Sequence, residues 1–352
     1  MLEYFKEQRP KIKIALQEYL KNQKDHFSAV EPWGKDFLQR LQDFSGSGKM
    51  IRGGLIMLAN RMFAGRESRA ALEAAVAIEL MQGAFLIHDD IMDQDDTRRG
   101  RKTIYYQYQE LGEEISLSNP RHFGRSMGIC AGDLAFFLAF DVFNRMEIPP
   151  EVCHKIYTAV TREVFLVGLA QMQDIYLGYS FEDLDEEKII SVFRYKTARY
   201  TFSLPFYVGA VLAGREGPVL GTLSQIGENL GIIFQIKDDE LGLFGEKEET
   251  GKPMGSDLRG AKKTLYYLYL LQKTDEQDRE RLKTIMGNPQ ISEDDILWAR
   301  DRVVALGIKE KVRGKMLEMA QGTRTLIASL DVSEEDKRIL GELLEYSLNR
   351  NS

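Results

Sequence analysis

Apolar residues recur every three or four positions along most of the chain, the spacing that lines one face of an α-helix. The period is clearest in ESRAALEAAVAIELMQGAFLIHDD (67–90), VCHKIYTAVTREVFLVGLAQMQDIYLG (152–178) and LGTLSQIGENLGIIFQIKDD (220–239). Each run is too long for a strand, and strict alternation, the mark of a half-buried strand, is almost absent. Short breaks with turn chemistry separate the runs: GSG at 46–48, SLSNPRHFG at 116–124, MEIPPE at 146–151 and LAGREGP at 212–218. Several predicted helices are apolar around most of their circumference, so they belong among other helices rather than on a sheet. The pattern predicts an all-α fold: one large helical bundle over residues 1–352, closed by amphipathic helices across 275–352.

Composition narrows this only a little. At 352 residues, 43% hydrophobic and 29% charged, the chain has the profile of a globular protein with a sizeable core. A net charge of −7 argues against broad nucleic-acid binding, although it leaves room for a local basic pocket. The two cysteines, Cys130 and Cys153, lack the spacing of a zinc site or a disulfide framework, which fits a reducing cytoplasm. The first twenty residues mix acid, base and apolar side chains at helical spacing, unlike a secretory signal. MGICAGDLAFFLAFDVF (127–143) is the most apolar stretch, but it carries Asp133 and Asp141 and reads as a buried helix rather than a membrane span.

The unusual chemistry lies in two acidic clusters, each behind an apolar run: FLIHDDIMD (85–93) and FQIKDDELG (234–242). Asp89 and Asp93, four apart, share one helix face about 6 Å from each other. Like charges that close weaken a helix unless a cation offsets them. A solvated acidic helix end helped by Arg98 and Arg99 is one reading; an EF-hand fails, because Ile104 stands where its bidentate Glu is needed. Oxygen-only ligands on rigid helices suit Mg²⁺, which keeps waters and shares its shell with substrate phosphates. Two apolar helices each ending in such acids would face them across a single central cavity. Cationic candidates for a phosphate partner are Lys49, Arg52, Arg98, Arg99, Lys196, Lys252 and Lys262. GSGK at 46–49 is not a P-loop, since Met50 replaces the required Ser or Thr.

Taken in order, these elements resemble the trans-type isoprenyl diphosphate synthases, the farnesyl and geranylgeranyl diphosphate synthases among them. Lys49-Met50-Ile51-Arg52 is similar to the family's GGKRLR element, Asp89-Asp90-Ile91-Met92-Asp93 to its first DDxxD and Arg98-Arg99-Gly100 to its RRG. Ala170-Gln171-Met172-Gln173-Asp174 resembles GQxxD, Lys196-Thr197 the KT pair, and Phe234 to Asp239 the FQxxDD element, followed by Gly251-Lys252-Pro253 and Asp257. The resemblance covers about residues 44–270.

The resemblance implies the isoprenoid synthase type of helical bundle and three Mg²⁺ per active site. Asp89, Asp90, Asp93, Asp238 and Asp239 form the metal motifs, with Asp89, Asp93 and Asp238 in the ligand positions. Arg98, Lys196 and Lys252 match residues that grip the allylic diphosphate, with Gln171 and Lys262 in neighbouring substrate-binding elements. Lys49, Arg52 and Arg99 match the metal-free site for isopentenyl diphosphate, beside Gln82. Thr197, Gln235 and the Lys196 carbonyl correspond to the dipoles facing the allylic cation. Phe85, beside the small Ala84, stands where a ring sets product length, implying C15 to C20. A homodimer and a cytoplasmic location are the family's usual state. One departure stands out: Gly242 replaces the third Asp of the second motif and removes a carboxylate from that wall. A class I terpene cyclase and a non-catalytic regulatory subunit are the alternatives; Lys49 and Arg52 speak against the first, the two intact Asp pairs against the second.

Overall fold

The computed structural model describes residues 3–180, 184–245 and 255–350. Helices account for about four-fifths of it. They are α1 (Glu3–Asn22), α2 (Lys24–Phe27), α3 (Trp33–Ser45), α4 (Ile51–Ala64), α5 (Arg69–Asp93), α6 (Ile104–Glu114), α7 (Pro120–Arg145), α8 (Pro150–Tyr179) and α9 (Glu186–Val192). A π-helix, Phe193–Ser203, follows, and then α10 (Leu204–Leu212), α11 (Pro218–Phe244), α12 (Ser256–Arg259), α13 (Leu265–Lys273), α14 (Glu276–Ile285), α15 (Glu293–Ala305), α16 (Ile308–Ser329) and α17 (Glu334–Asn349). Among the described residues the only strands are β1 (Thr97–Arg98) and β2 (Arg101–Lys102), a two-rung antiparallel hairpin. The all-α expectation holds. The helix limits follow local chemistry: Ser68 accepts from Ala71 N–H at the start of α5, Asn119 caps α7 ahead of Pro120, and Pro218 opens α11.

The chain divides into two compact units, Met1–Tyr157 with Val208–Arg215, and Thr158–Tyr207 with Glu216–Ser352. In the first, α5 is the central helix, packed on α4, α1 and α7, while α6 lies along α7. Ala74, Ala75, Ala77, Ile78, Leu80 and Met81 of α5 are buried, which is what its all-round apolar pattern demands. In the second, α11 is central, with the π-helix, α16 and α17 around it.

Three local expectations are corrected. The second acidic cluster does not end its helix: α5 stops at Asp93, but α11 continues past Asp238 to Phe244. Residues 120–124 of the SLSNPRHFG break already belong to α7, because Pro120 at the first helical position starts a helix rather than ending one. The stretch 127–143 is only partly buried, since Ile129, Leu134 and Phe137 of α7 are exposed. By length and composition α5 and α7 are both apolar enough to cross a membrane, although most of the apolar stretch of α5 is buried in its own unit.

Candidate active site

In the first unit the acidic cluster closes α5, and Gln94 caps it in a left-handed conformation that turns the chain back towards the helix. The β1–β2 hairpin follows. Arg99 (φ 54°) and Gly100 (φ 72°) form its two-residue turn, and Gly at the second position adopts such a φ at no steric cost. The hairpin brings Arg98 back over the cluster: its Nε donates to Asp90 Oδ1 at 2.5 Å and its Nη2 to Asp89 Oδ2 at 3.3 Å. Asp90 is 1% exposed, and burial pushes its carboxyl up to about 7 even though Arg98 pulls the other way. Asp89 keeps a quarter of its side chain in solvent, and Asp93 is exposed. The cation foreseen for diphosphate is therefore also the counter-ion of the motif.

The candidate isopentenyl diphosphate residues gather in the same unit. Met50 enters α4 at φ 51°, a left-handed turn uncommon for a non-glycine residue and stored at the basic element. Lys49 before it is exposed, and Arg9 Nε holds the preceding turn by donating to the Gly48 carbonyl at 2.9 Å. Sequence reasoning missed Glu79. Its Oε1 accepts from the Gly53 N–H at 2.9 Å, and burial raises its carboxyl against the pull of that bond and the charges of Arg52 and Arg99. One carboxylate thus anchors the start of α4 and balances two arginines. Gln82 lies half-buried about two turns before Asp89. Ala84 is fully buried, and the Phe85 ring meets Phe136 of α7 edge-on, with centroids 4.8 Å apart.

In the second unit the π-helix carries Lys196 and Thr197. π-helices are rare and concentrate at functional sites, and no residue pattern announced this one. It is tied down by Glu163 of α8, 3% exposed, which accepts from Arg199 Nε at 2.9 Å and Nη2 at 2.6 Å; Glu228 of α11 accepts from Arg194 at 2.7 Å. Lys196 Nζ pairs with Asp174 at 2.6 Å, joining the KT and QxxD elements, and Gln171 lies half-buried one turn before Asp174. Thr197 Oγ1 donates to Gln235 Oε1 at 2.9 Å, and Gln235 Nε2 donates to Asp239 Oδ1 at 2.9 Å. Two of the three dipoles expected to face the allylic cation are thus one hydrogen-bonded pair fixed to the second motif.

That motif repeats the logic of the first. Asp239 is 5% exposed, its carboxyl raised by burial and by the charge of Asp257. Asp238 is 55% exposed, and its Oδ1 accepts from Arg350 Nη2 at 2.5 Å. Arg350, which sequence reasoning also missed, lies over the Phe234 ring at 3.8 Å. A Cβ added at Gly242 would overlap Asp257 Oδ2 and lie 2.6 Å from Asp257 Cγ, so a carboxylate fills the space of the missing third Asp. Lys262 Nζ is 3.7 Å from Asp257 Oδ1. Lys252 lies outside the described residues.

Magnesium fits these donors. They are carboxylate oxygens, and Asp90 Oδ2 and Asp239 Oδ2 are buried without a hydrogen bond. Among the described residues no three His, Cys, Asp or Glu side chains close on one point, consistent with an ion that takes few protein ligands and completes its shell with water and phosphate.

The chain is similar to known proteins along most of its length. The polyprenyl synthetase family model matches residues 34–303. The geranylgeranyl diphosphate synthase of Sulfolobus acidocaldarius is 32% identical over 263 residues, 73% of each chain. The geranylfarnesyl diphosphate synthase of Aeropyrum pernix is 30% identical over 308 residues, 86% of this chain and 90% of that one. Among solved structures, geranylgeranyl pyrophosphate synthase from Corynebacterium glutamicum, complexed with isoprenyl diphosphate and magnesium, superposes with a TM-score of 0.91 at 29% identity over 99% of both chains. With a family model spanning more than half its length and its acidic and basic elements in order, this chain belongs to the polyprenyl synthetase family.

Proposed function

We propose that the chain is a magnesium-dependent short-chain trans-prenyltransferase, a single catalytic domain over 1–352 that joins isopentenyl diphosphate to an allylic diphosphate and releases a C15 to C20 product. The observation that carries this reading is the repeated motif: a solvent-accessible aspartate paired with an arginine, next to a buried aspartate that holds a neighbouring side chain. Asp89, Asp93 and Asp238 would hold the metal. Bound magnesium supplies charge withdrawal from the departing diphosphate. Asp90 and Asp239 act as positioning groups, the first through Arg98 and the second through Gln235. Arg98 and Lys196 exchange their carboxylate partners for the allylic diphosphate, joined by Lys252 and Lys262. Lys49, Arg52, Arg99 and Gln82 bind isopentenyl diphosphate through charge and hydrogen bonds. The Thr197 hydroxyl, the Gln235 amide and the Lys196 carbonyl present preorganised dipoles to the allylic cation.

The exposed apolar side chains of α7 (Ile129, Leu134, Phe137) and of α8 (Phe165, Leu169, Met172, Tyr176) support a homodimer, which would cover them. We read the location as cytoplasmic. The test is incubation with isopentenyl diphosphate, C5, C10 and C15 allylic primers in turn, and Mg²⁺, followed by product sizing. Chain extension with diphosphate release is expected; no Mg²⁺-dependent diphosphate release with any primer would overturn the assignment.

A further inference from the structure

The loop between α3 and α4 is held from α1, a helix that lies ahead of the residues matched by the family model. Arg9 Nε donates to the Gly48 carbonyl at 2.9 Å, and a Cβ added at Gly48 would lie 3.4 Å from Arg99 Nη1, so two guanidinium groups meet at one glycine. One turn further along the same face of α1, Lys13 meets the other end of the loop: a Cβ added at Gly46 would lie 3.4 Å from its Cε and 3.8 Å from its Nζ. Lys11 sits on another face and is paired with Glu67 at 2.7 Å. Among the described residues the Arg9 Nη groups and the Lys13 ammonium have no hydrogen-bond or ion-pair partner.

The surroundings leave this positive charge without an answer. Lys49 lies in the loop, Arg52 in the first turn of α4 and Arg99 against Gly48. Glu79 is the acid set against Arg52 and Arg99, and burial disfavours its charge. Ser45, at the end of α3, adds a hydroxyl whose Oγ is buried without a hydrogen bond, 3.4 Å from where a Cβ on Gly83 would stand, next to Gln82. Donors in excess of acceptors, and cations in excess of charged acids, are what a polyanion satisfies.

We propose that α1 is part of the isopentenyl diphosphate site: Arg9 positions the 46–49 loop through the Gly48 carbonyl, and Arg9 and Lys13 add two charges to those of Lys49, Arg52 and Arg99. The tie falls two residues before the left-handed Met50, which separates Lys49 from Arg52, so slack at Gly48 displaces both cations. Arg9 suits the double task because one nitrogen holds the carbonyl while the two Nη groups remain as donors.

This inference rests on reading the basic loop as the metal-free diphosphate site, and its test separates the two. KM for isopentenyl diphosphate and for the C10 allylic diphosphate, and the affinity for isopentenyl diphosphate by calorimetry in EDTA, are measured for Lys49→Ala, Arg9→Met, Arg9→Lys, Lys13→Met and Lys11→Met, with melting followed by circular dichroism. Lys49→Ala is the control for the site: if it leaves both measures for isopentenyl diphosphate unchanged, the reading of the loop has failed. Lys11→Met is the control for charge, removing the same charge from another face of α1, and is expected to change neither KM. In Arg9→Met a rise of about tenfold in KM for isopentenyl diphosphate, an equal loss of affinity and an allylic KM within about twofold support the proposal, as the loss of one charge-assisted contact. A rise of about threefold in Lys13→Met and partial recovery in Arg9→Lys support it further. An unchanged KM for isopentenyl diphosphate in Arg9→Met, or both KM values raised alike, overturns it and leaves Arg9 as a tie between helix and loop. Should Arg9→Met not fold, an unchanged KM for isopentenyl diphosphate in Lys13→Met overturns it instead. A rise in Lys11→Met as large as in Lys13→Met overturns it too, since net charge would then account for the effect.

Discussion

Gly231 decides whether the π-helix can reach α11. A Cβ built on it lies 2.5 Å from Ala198 Cβ, nearer still to Ala198 Cα, and 3.0 Å from Phe202 Cδ2. Carbon atoms in contact prefer about 3.5–4.0 Å, so Gly231→Ala forces the π-helix back by roughly 1 Å. The obstacle includes backbone, which no rotamer change can move aside. Overpacking of this kind costs about 2–3 kcal/mol, and at roughly 2–4 °C per kcal/mol the Tm falls by about 4–12 °C. The same displacement stretches the Thr197–Gln235 bond of 2.9 Å beyond hydrogen-bonding distance. Gly231→Ala is therefore expected to lower kcat even when assayed well below its Tm. Gly221→Ala is the control: on the same helix, exposed, with nothing within 4 Å of the added Cβ, it is expected to gain about 0.4–1 kcal/mol. Thermal melts and initial rates for the two variants check this. If Gly231→Ala melts with Gly221→Ala and keeps full turnover, the close approach described here is wrong.

Three further outcomes are expected. Arg350→Ala removes the cation that competes for Asp238, so calorimetry on the substrate-free protein should find Mn²⁺ bound several-fold tighter, and an unchanged affinity would sink that account. Burial lowers the Lys263 ammonium to about 8 from 10.5; across that window the unfolded chain binds more protons, so this site's contribution to stability rises with pH and is least favourable below 8. Lys263→Met is thus expected to raise the Tm at pH 7 by an amount that shrinks towards pH 10, and a pH-independent difference rejects the burial argument. Phe85→Ala opens the space beside Phe136 and should shift the product to longer chains, which chromatography of the released prenyl alcohols would detect as an unchanged distribution if the ring sets no limit.

The helices and their breaks were legible because a 3.6-residue period and turn chemistry are local signals. The runs at 152–178 and 220–239 lie within α8 and α11, and that at 67–90 falls in α5 apart from Glu67 and the capping Ser68. The acidic motifs and Lys196-Thr197 were legible by resemblance in order and spacing. What escaped depends on partners brought together by packing. Arg350 and Asp238 are 112 positions apart, and Glu163 reaches Arg199 across 36. No pattern around Gly242 indicates that Asp257 fills its space, nor does FRYKTARYTFS announce a π-helix. Glu79 was readable only as one more helical acid until the turn at Met50 set the Gly53 N–H against it.

The π-helix also limits how this stretch can change. Its wider ladder accommodates more residues per turn than an α-helix of the same height, so its eleven positions are a fixed count as well as a composition. Deleting one residue at its start would let it relax towards i→i+4 bonding and swing every later side chain by about 100°, taking Thr197 off Gln235. Point substitutions here can be graded and compensated; a single-codon deletion is a frame error in the side-chain register, to which the segment has no intermediate response.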